Sequence, residues 1–98
     1  MKRQGLKLVE RNYRCRFGEI DLIARDGNTL VFVEVRMRTS DKFGGAAASI
    51  TAAKRGKLTR SARCYLAGLR HPPACRFDAL LVSGPQRAVE WIKNAFSE

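Results

Sequence analysis

Gly18-Glu19-Ile20-Asp21-Leu22-Ile23-Ala24 and Thr29-Leu30-Val31-Phe32-Val33-Glu34-Val35-Arg36 flank the segment Arg25-Asp26-Gly27-Asn28. Both runs are apolar, and the second is rich in β-branched and aromatic residues, so each predicts a strand. Asp-Gly and Gly-Asn supply the positive φ that a tight hairpin requires. Inside these runs sit three carboxylates, Glu19, Asp21 and Glu34. A desolvated carboxylate is costly unless something compensates it. A basic partner, a metal or an open sheet face would serve.

Strand geometry orders these groups. Glu34 and Arg36 are two apart and share a face, as do Glu19 and Asp21. A two-residue turn at Gly27-Asn28 places Asp21 directly opposite Glu34. An Asp26-Gly27 turn places them diagonally, and a three-residue loop puts them on opposite faces. Facing carboxylates repel unless a cation lies between them. Asp…Glu-x-Arg on one surface suits metal-assisted phosphodiester hydrolysis: hard oxygens hold Mg²⁺, the metal acidifies water, and a cation stabilises developing charge. An internal Asp–Arg–Glu salt-bridge cluster on a solvated face fits the same spacing.

The flanking sequence completes a domain. Leu6–Arg14 predicts an edge strand. Residues 37–49 predict a loop around Gly44-Gly45. Thr51 predicts the N-cap of a helix reaching about Leu69, with Leu58, Ala62, Tyr65, Leu66 and Leu69 on its apolar side and Pro72-Pro73 ending it. Cys75–Val82 and Arg87–Ile92 predict the last strands, around a Ser83–Gln86 turn. The order β-β-β-α-β-β gives a small α/β or α+β domain with a mixed sheet. Ninety-eight residues suit one domain, spanning 1–98.

The chain carries 19 Lys+Arg against 9 Asp+Glu, a net charge of +10. Such a balance points first to nucleic acid as partner. No apolar run approaches the ~20 residues of a membrane span, and no signal peptide is visible. Cys15, Cys64 and Cys75 form no C-x-x-C pair, and His71 with Cys75 lacks a second ligand pair, so neither a disulfide framework nor zinc is expected. Three thiols fit a reducing cytoplasm. Arg14, Arg16, Arg38, Lys42, Lys57 and Arg60 belong to basic clusters suited to backbone phosphates. Tyr13, Phe17 and Trp91 are stacking candidates for bases, although packing is the commoner use of such side chains. Asp26, in a turn, reads as ordinary surface charge, and Asp78 as a structural partner of an arginine.

The G-E-I-D-L-I and F-V-E-V-R motifs, with Arg11-Asn12-Tyr13-Arg14, Phe43–Ser49, Lys54, Arg76-Phe77-Asp78 and Trp91–Phe96, closely resemble the YraN family of small bacterial proteins. That family is similar to archaeal Holliday junction resolvases and to the PD-(D/E)-x-K superfamily. The resemblance implies a restriction-endonuclease-like or tRNA-endonuclease-like core that binds branched or structured DNA and cleaves it with Mg²⁺ or Mn²⁺. It implies Asp21 and Glu34 as metal carboxylates, the Val35 carbonyl as a further ligand, and Glu19 nearby. Arg36 stands where the superfamily has lysine. Arginine stays protonated and cannot be a general base, so Lys54 is the candidate for the missing ammonium. Family members begin with a further N-terminal helix carrying a glutamate, which is expected to be absent here. Resolvase relatives act as dimers, so a homodimer is an expectation by analogy. The rival expectations are a non-catalytic nucleic-acid-binding module with the same fold and a protein–protein adaptor.

Overall fold

In the computed structural model, strands β2 (Gly18–Asp26) and β3 (Thr29–Arg38) form an antiparallel hairpin. The structure describes residues 5–38, 51–84 and 88–96. Asp26 pairs with Thr29, so the turn is the two residues Gly27 and Asn28, and Gly27 adopts φ +60°. A left-handed first turn residue matches the right-handed twist of the strands, and glycine adopts it without a Cβ penalty. Of the three turns allowed by the sequence, this is the one that sets Asp21 across from Glu34.

β1 (Lys7–Cys15) lies antiparallel to β2 on the outer edge, with a register shift between Leu8 and Glu10. Beyond β3 the chain crosses over through helix α1 (Ala52–Ala67) and returns as β4 (Cys75–Ser83), parallel to β3. A parallel neighbour needs such a crossover, since a tight hairpin cannot supply it. β5 (Ala88–Phe96) pairs antiparallel with β4. The result is an α+β domain: a five-stranded mixed sheet in the order β1-β2-β3-β4-β5, with one helix among the described residues. The expected element order holds. No helix among the described residues is long and apolar enough to cross a membrane.

Helix α1 starts where the sequence indicates: the Thr51 hydroxyl accepts a hydrogen bond from the Lys54 backbone N–H at 3.2 Å. It ends earlier than expected. Gly68 caps it, its N–H bonding to the Tyr65 carbonyl, so termination precedes the prolines. Leu58 and Ala62 pack with Ile20, Ile23, Leu30, Phe32 and Phe77 in the main core. An aromatic series crosses the sheet there. Tyr13 meets Tyr65 edge-on at 5.2 Å, Phe32 lies 5.7 Å from Phe77, and Phe77 stacks on Phe96 at 4.8 Å. Each such contact adds about 0.5–1.5 kcal/mol beyond burial. Tyr13 is thereby a packing residue.

The other side of the sheet holds Leu6, Ala24, Val31 and Val33, with Leu22, Leu80 and Trp91 against them. Asp78 is fully buried. Arg76 Nε reaches both its oxygens at 3.1 and 3.3 Å, and Nη2 reaches Oδ2 at 3.2 Å. Trp91 Nε1 donates to Oδ2 at 2.7 Å, and the Asn94 N–H donates to Oδ1 at 3.0 Å. The structural reading of Asp78 is correct, and Trp91 is one of its donors. Asp26, read as ordinary surface charge, instead accepts from Arg76 Nη1 at 2.7 Å. β5 also runs on past its expected end at Ile92. Between Phe77 and Ala79 the register shifts, and Asn94 takes φ +53°, a left-handed conformation that asparagine tolerates. The bulge aims its N–H at Asp78, and the strand continues to Phe96.

Asp78→Ala should lower stability by about 3–5 kcal/mol, because it leaves Arg76 with less compensation and strips two further donors of their acceptor. Urea denaturation followed by circular dichroism measures this. The Arg76 hydrogen bond also holds the Asp26 carboxyl below its ordinary range. Its stabilisation is present above the unfolded-state pKa and is lost as pH falls through the lowered folded value. Asp26→Asn should therefore remove part of the acid sensitivity seen in thermal melts.

Candidate functional site

The β2–β3 register runs Leu22–Val33, and one residue further it brings Asp21 across from Glu34. Asp21 is half-buried. Its Oδ2 accepts from the Val35 backbone N–H at 2.9 Å, which ties the side chain of one strand to the main chain of the next. Glu34 is deeper. It occupies the centre of the sheet, with β4 on its other side, and its side chain is 6% exposed.

Charge compensation for Glu34 comes from the helix and from its own strand. The cap that pins the Lys54 backbone N–H places this residue in the first turn of α1, and its ammonium lies 3.0 Å from Glu34 Oε2. Arg36 Nη1 lies 3.9 Å from the same oxygen. Oε2 is buried, with the Lys54 ammonium at charge-assisted hydrogen-bond distance and the Arg36 guanidinium at ionic range. Burial raises the Glu34 carboxyl above its ordinary value. The neighbouring Asp21 carboxyl pushes it further up, and Lys54 opposes them. Burial and the facing acid disfavour the ionised form of Glu34, and the Lys54 ammonium favours it.

Asp21, Glu34 and Lys54 line one open cavity of about 380 Å³, together with Gly18, Glu19, Val35, Lys57 and Leu58. Gly18 has φ +145°, and a Cβ there would lie 3.6 Å from the Ser61 hydroxyl. That distance is ordinary contact, so it is the backbone conformation, rarely adopted by L side chains, that calls for glycine where β2 begins. Glu19 is exposed and pairs with Arg14 Nε at 3.5 Å. It lines the cavity without being drawn into the Asp21–Glu34 pair.

The structure thus brings together Asp21, Glu34, Arg36 and Lys54, with the Val35 main chain between them. Lys57 stands at the edge of the cavity, whereas Arg16 and Arg60 line the neighbouring groove. Arg38 closes β3, but its side chain and all of Lys42 fall outside the described residues, as does most of the expected loop 37–49. Among the described residues no three His, Cys, Asp or Glu side chains converge as a metal-binding group. The site proper is a pair of acids with a pair of cations.

Glu34→Gln removes a charge that the fold holds at a cost. A raised carboxyl pKa means that stability is full below the unfolded-state value and declines as pH rises through the folded one. In metal-free buffer at pH 7, Glu34→Gln should raise the melting temperature. A gain of about 1 kcal/mol would correspond to roughly 4–8 °C. The advantage should shrink as pH falls through the raised Glu34 value, and melts across pH 4–8 check it.

Relatives share this sequence over nearly its whole length. A UPF0102 protein of Nitrosomonas europaea is 66% identical over 99 residues, covering 100% of this chain and 84% of its own. A UPF0102 protein of Nitrosospira multiformis is 66% identical over 92 residues, covering 93% of this chain and 77% of its own. One from Methylobacillus flagellatus is 59% identical over 97 residues, covering 97% and 84%. The model of the uncharacterised protein family UPF0102 matches residues 1–82, which contain the whole cavity around Asp21, Glu34 and Lys54 and the neighbouring Arg36. The chain therefore belongs to the UPF0102 family, the YraN family of its sequence motifs.

Proposed function

We propose that this protein is a metal-dependent phosphodiester hydrolase acting on branched or structured DNA, built on a restriction-endonuclease-like core. The observation that carries the proposal is the juxtaposition of Asp21 and Glu34 across a hairpin, with the Lys54 ammonium 3.0 Å from Glu34 in the same cavity. The donor chemistry fits Mg²⁺ or Mn²⁺. The two carboxylates and the Val35 carbonyl are hard oxygens, and Asp21 and Glu34 line one open cavity with their carboxylates on facing strands. Bound there, the ion would neutralise phosphate charge and acidify a water molecule.

The chain's own side chains divide the remaining work. Asp21 and Glu34 supply the negative pocket, with Asp21 oriented by the Val35 N–H. Lys54 stands beside the acids on a capped helix, where it holds positive charge toward the scissile phosphate. Arg36 contributes a permanent charge and orients a phosphate oxygen, a role its guanidinium suits better than proton abstraction. Lys57 at the cavity edge, with Arg16 and Arg60 beyond it, would take flanking backbone phosphates. The three half-buried cysteines form no disulfide among the described residues, which suits work in a reducing cytoplasm.

The test is cleavage of a panel of branched and linear DNAs by the full chain with Mg²⁺ or Mn²⁺. Asp21→Asn should abolish cutting, and Lys54→Met should slow it by about 10²–10³-fold with little change in DNA affinity. Salt-dependent DNA binding that ignores metal, with no cutting of any substrate, would replace this reading by that of a non-catalytic nucleic-acid-binding module.

A further inference from the structure

A second concavity lies beside the first, on the far side of the β1–β2 turn. It has a volume of about 670 Å³ and is lined by Arg16, Phe17, Arg60, Arg63, Cys64 and Ala67. Its composition is divided. Phe17, Cys64 and Ala67 give it apolar surface, and three arginines stand around them. The Arg16 guanidinium already lies over the Phe17 ring, 4.9 Å from its centroid. None of the lining residues is acidic, and α1 has no acid anywhere along its length.

This groove is continuous with the candidate site in two ways. Phe17 lines it, and the next residues in the chain, Gly18 and Glu19, line the other cavity. On the helix, Lys57 belongs to the first and Arg60, one turn on, to the second. Lys54 and Cys64 are ten residues apart, a rise of about 15 Å along the helix. That is the span of a few nucleotides.

We infer that this groove is a pocket for an unpaired nucleobase, which rests on the nucleic-acid reading of the neighbouring site and narrows its substrate to DNA with a single-stranded segment near the scissile phosphate. A flat π-system with anionic groups on either side is the ligand that an aromatic ring under a guanidinium, rimmed by further arginines, accommodates best. Bases inside a duplex are stacked and hidden, so only an unpaired one reaches the Phe17 face. Lys57 and Arg60 hold the backbone between pocket and cavity, and the captured base fixes which phosphate lies over Asp21 and Glu34.

The experiment measures binding by the full chain in EDTA, so that it does not depend on cutting. The probes are a blunt duplex and a duplex of equal phosphate count whose single-stranded tail carries 2-aminopurine. The tailed DNA should bind at least about ten-fold tighter, with a change in 2-aminopurine fluorescence. Phe17→Leu, which keeps apolar bulk but removes the ring face, should abolish that preference and leave blunt-duplex affinity unchanged. Phe17→Trp should retain it. Ala67→Glu, an exposed change at the end of α1 that brings a carboxylate to the groove, should weaken tailed binding independently of Phe17. Equal affinity for both DNAs overturns the inference, as does a preference that survives both Phe17→Leu and Ala67→Glu. Phe17-dependent base capture by a protein that never cuts would remove the hydrolase and leave the pocket. Asp21-dependent cutting without preference for the tailed DNA would do the reverse.

Discussion

The two-residue turn at Gly27-Asn28 is the constraint on which the rest depends. Because side chains alternate along a strand, the length of this turn decides whether Asp21 and Glu34 meet or part. The same register sends Phe32 and Leu30 toward α1, and Val31 and Val33 into the opposite layer. Core and candidate site are therefore products of one geometric choice. Glycine with a positive φ at the first turn position makes that choice inexpensive.

The two buried acids of the central strands show how one residue chemistry serves two ends. Asp78 is fully buried and is met by Arg76, Trp91 and the Asn94 N–H, all at hydrogen-bonding distance. Nothing about it invites a ligand. Glu34 is almost as deep, yet it faces a second carboxylate across an open cavity, its cations are the half-exposed Lys54 and the more distant Arg36, and its carboxyl is raised by burial and by Asp21. A fully enclosed, hydrogen-bonded carboxylate rigidifies the fold, whereas one at the wall of a cavity beside a second acid keeps a perturbed protonation equilibrium.

Local chemistry made much of this legible in the sequence. The hairpin followed from a turn dipeptide between β-rich runs, and the helix start from Thr51, because both signals act within a few residues. The pairing of Asp21 with Glu34 was one of three outcomes, and the observed position and length of the turn together select it. Long-range partners were harder to read. Asp26 meets Arg76, 50 positions away, and no local pattern marks that contact. The extra length of β5 arises from a bulge that Asp78 holds through Asn94, and Lys93-Asn94-Ala95 breaks the alternation by which a strand is recognised. The helix ended at Gly68, before Pro72-Pro73, in a tightened last turn where the Gly68 N–H bonds the Tyr65 carbonyl, and the poor helix propensity of glycine favours a stop there. The groove beside the β1–β2 turn was visible only as separate basic and aromatic residues until the helix flank and the turn were brought together.

The chain has a single tryptophan, and its indole N–H is committed to Asp78 on the sheet face away from α1. Trp91 is therefore a built-in optical probe with a defined hydrogen-bond partner, separated by the thickness of the sheet from the surfaces that would meet DNA. Its emission reports on the integrity of the back layer. Ligand occupancy on the helix side can be followed by other labels against that internal reference, so a variant that loses binding can be told from one that loses its fold in the same cuvette.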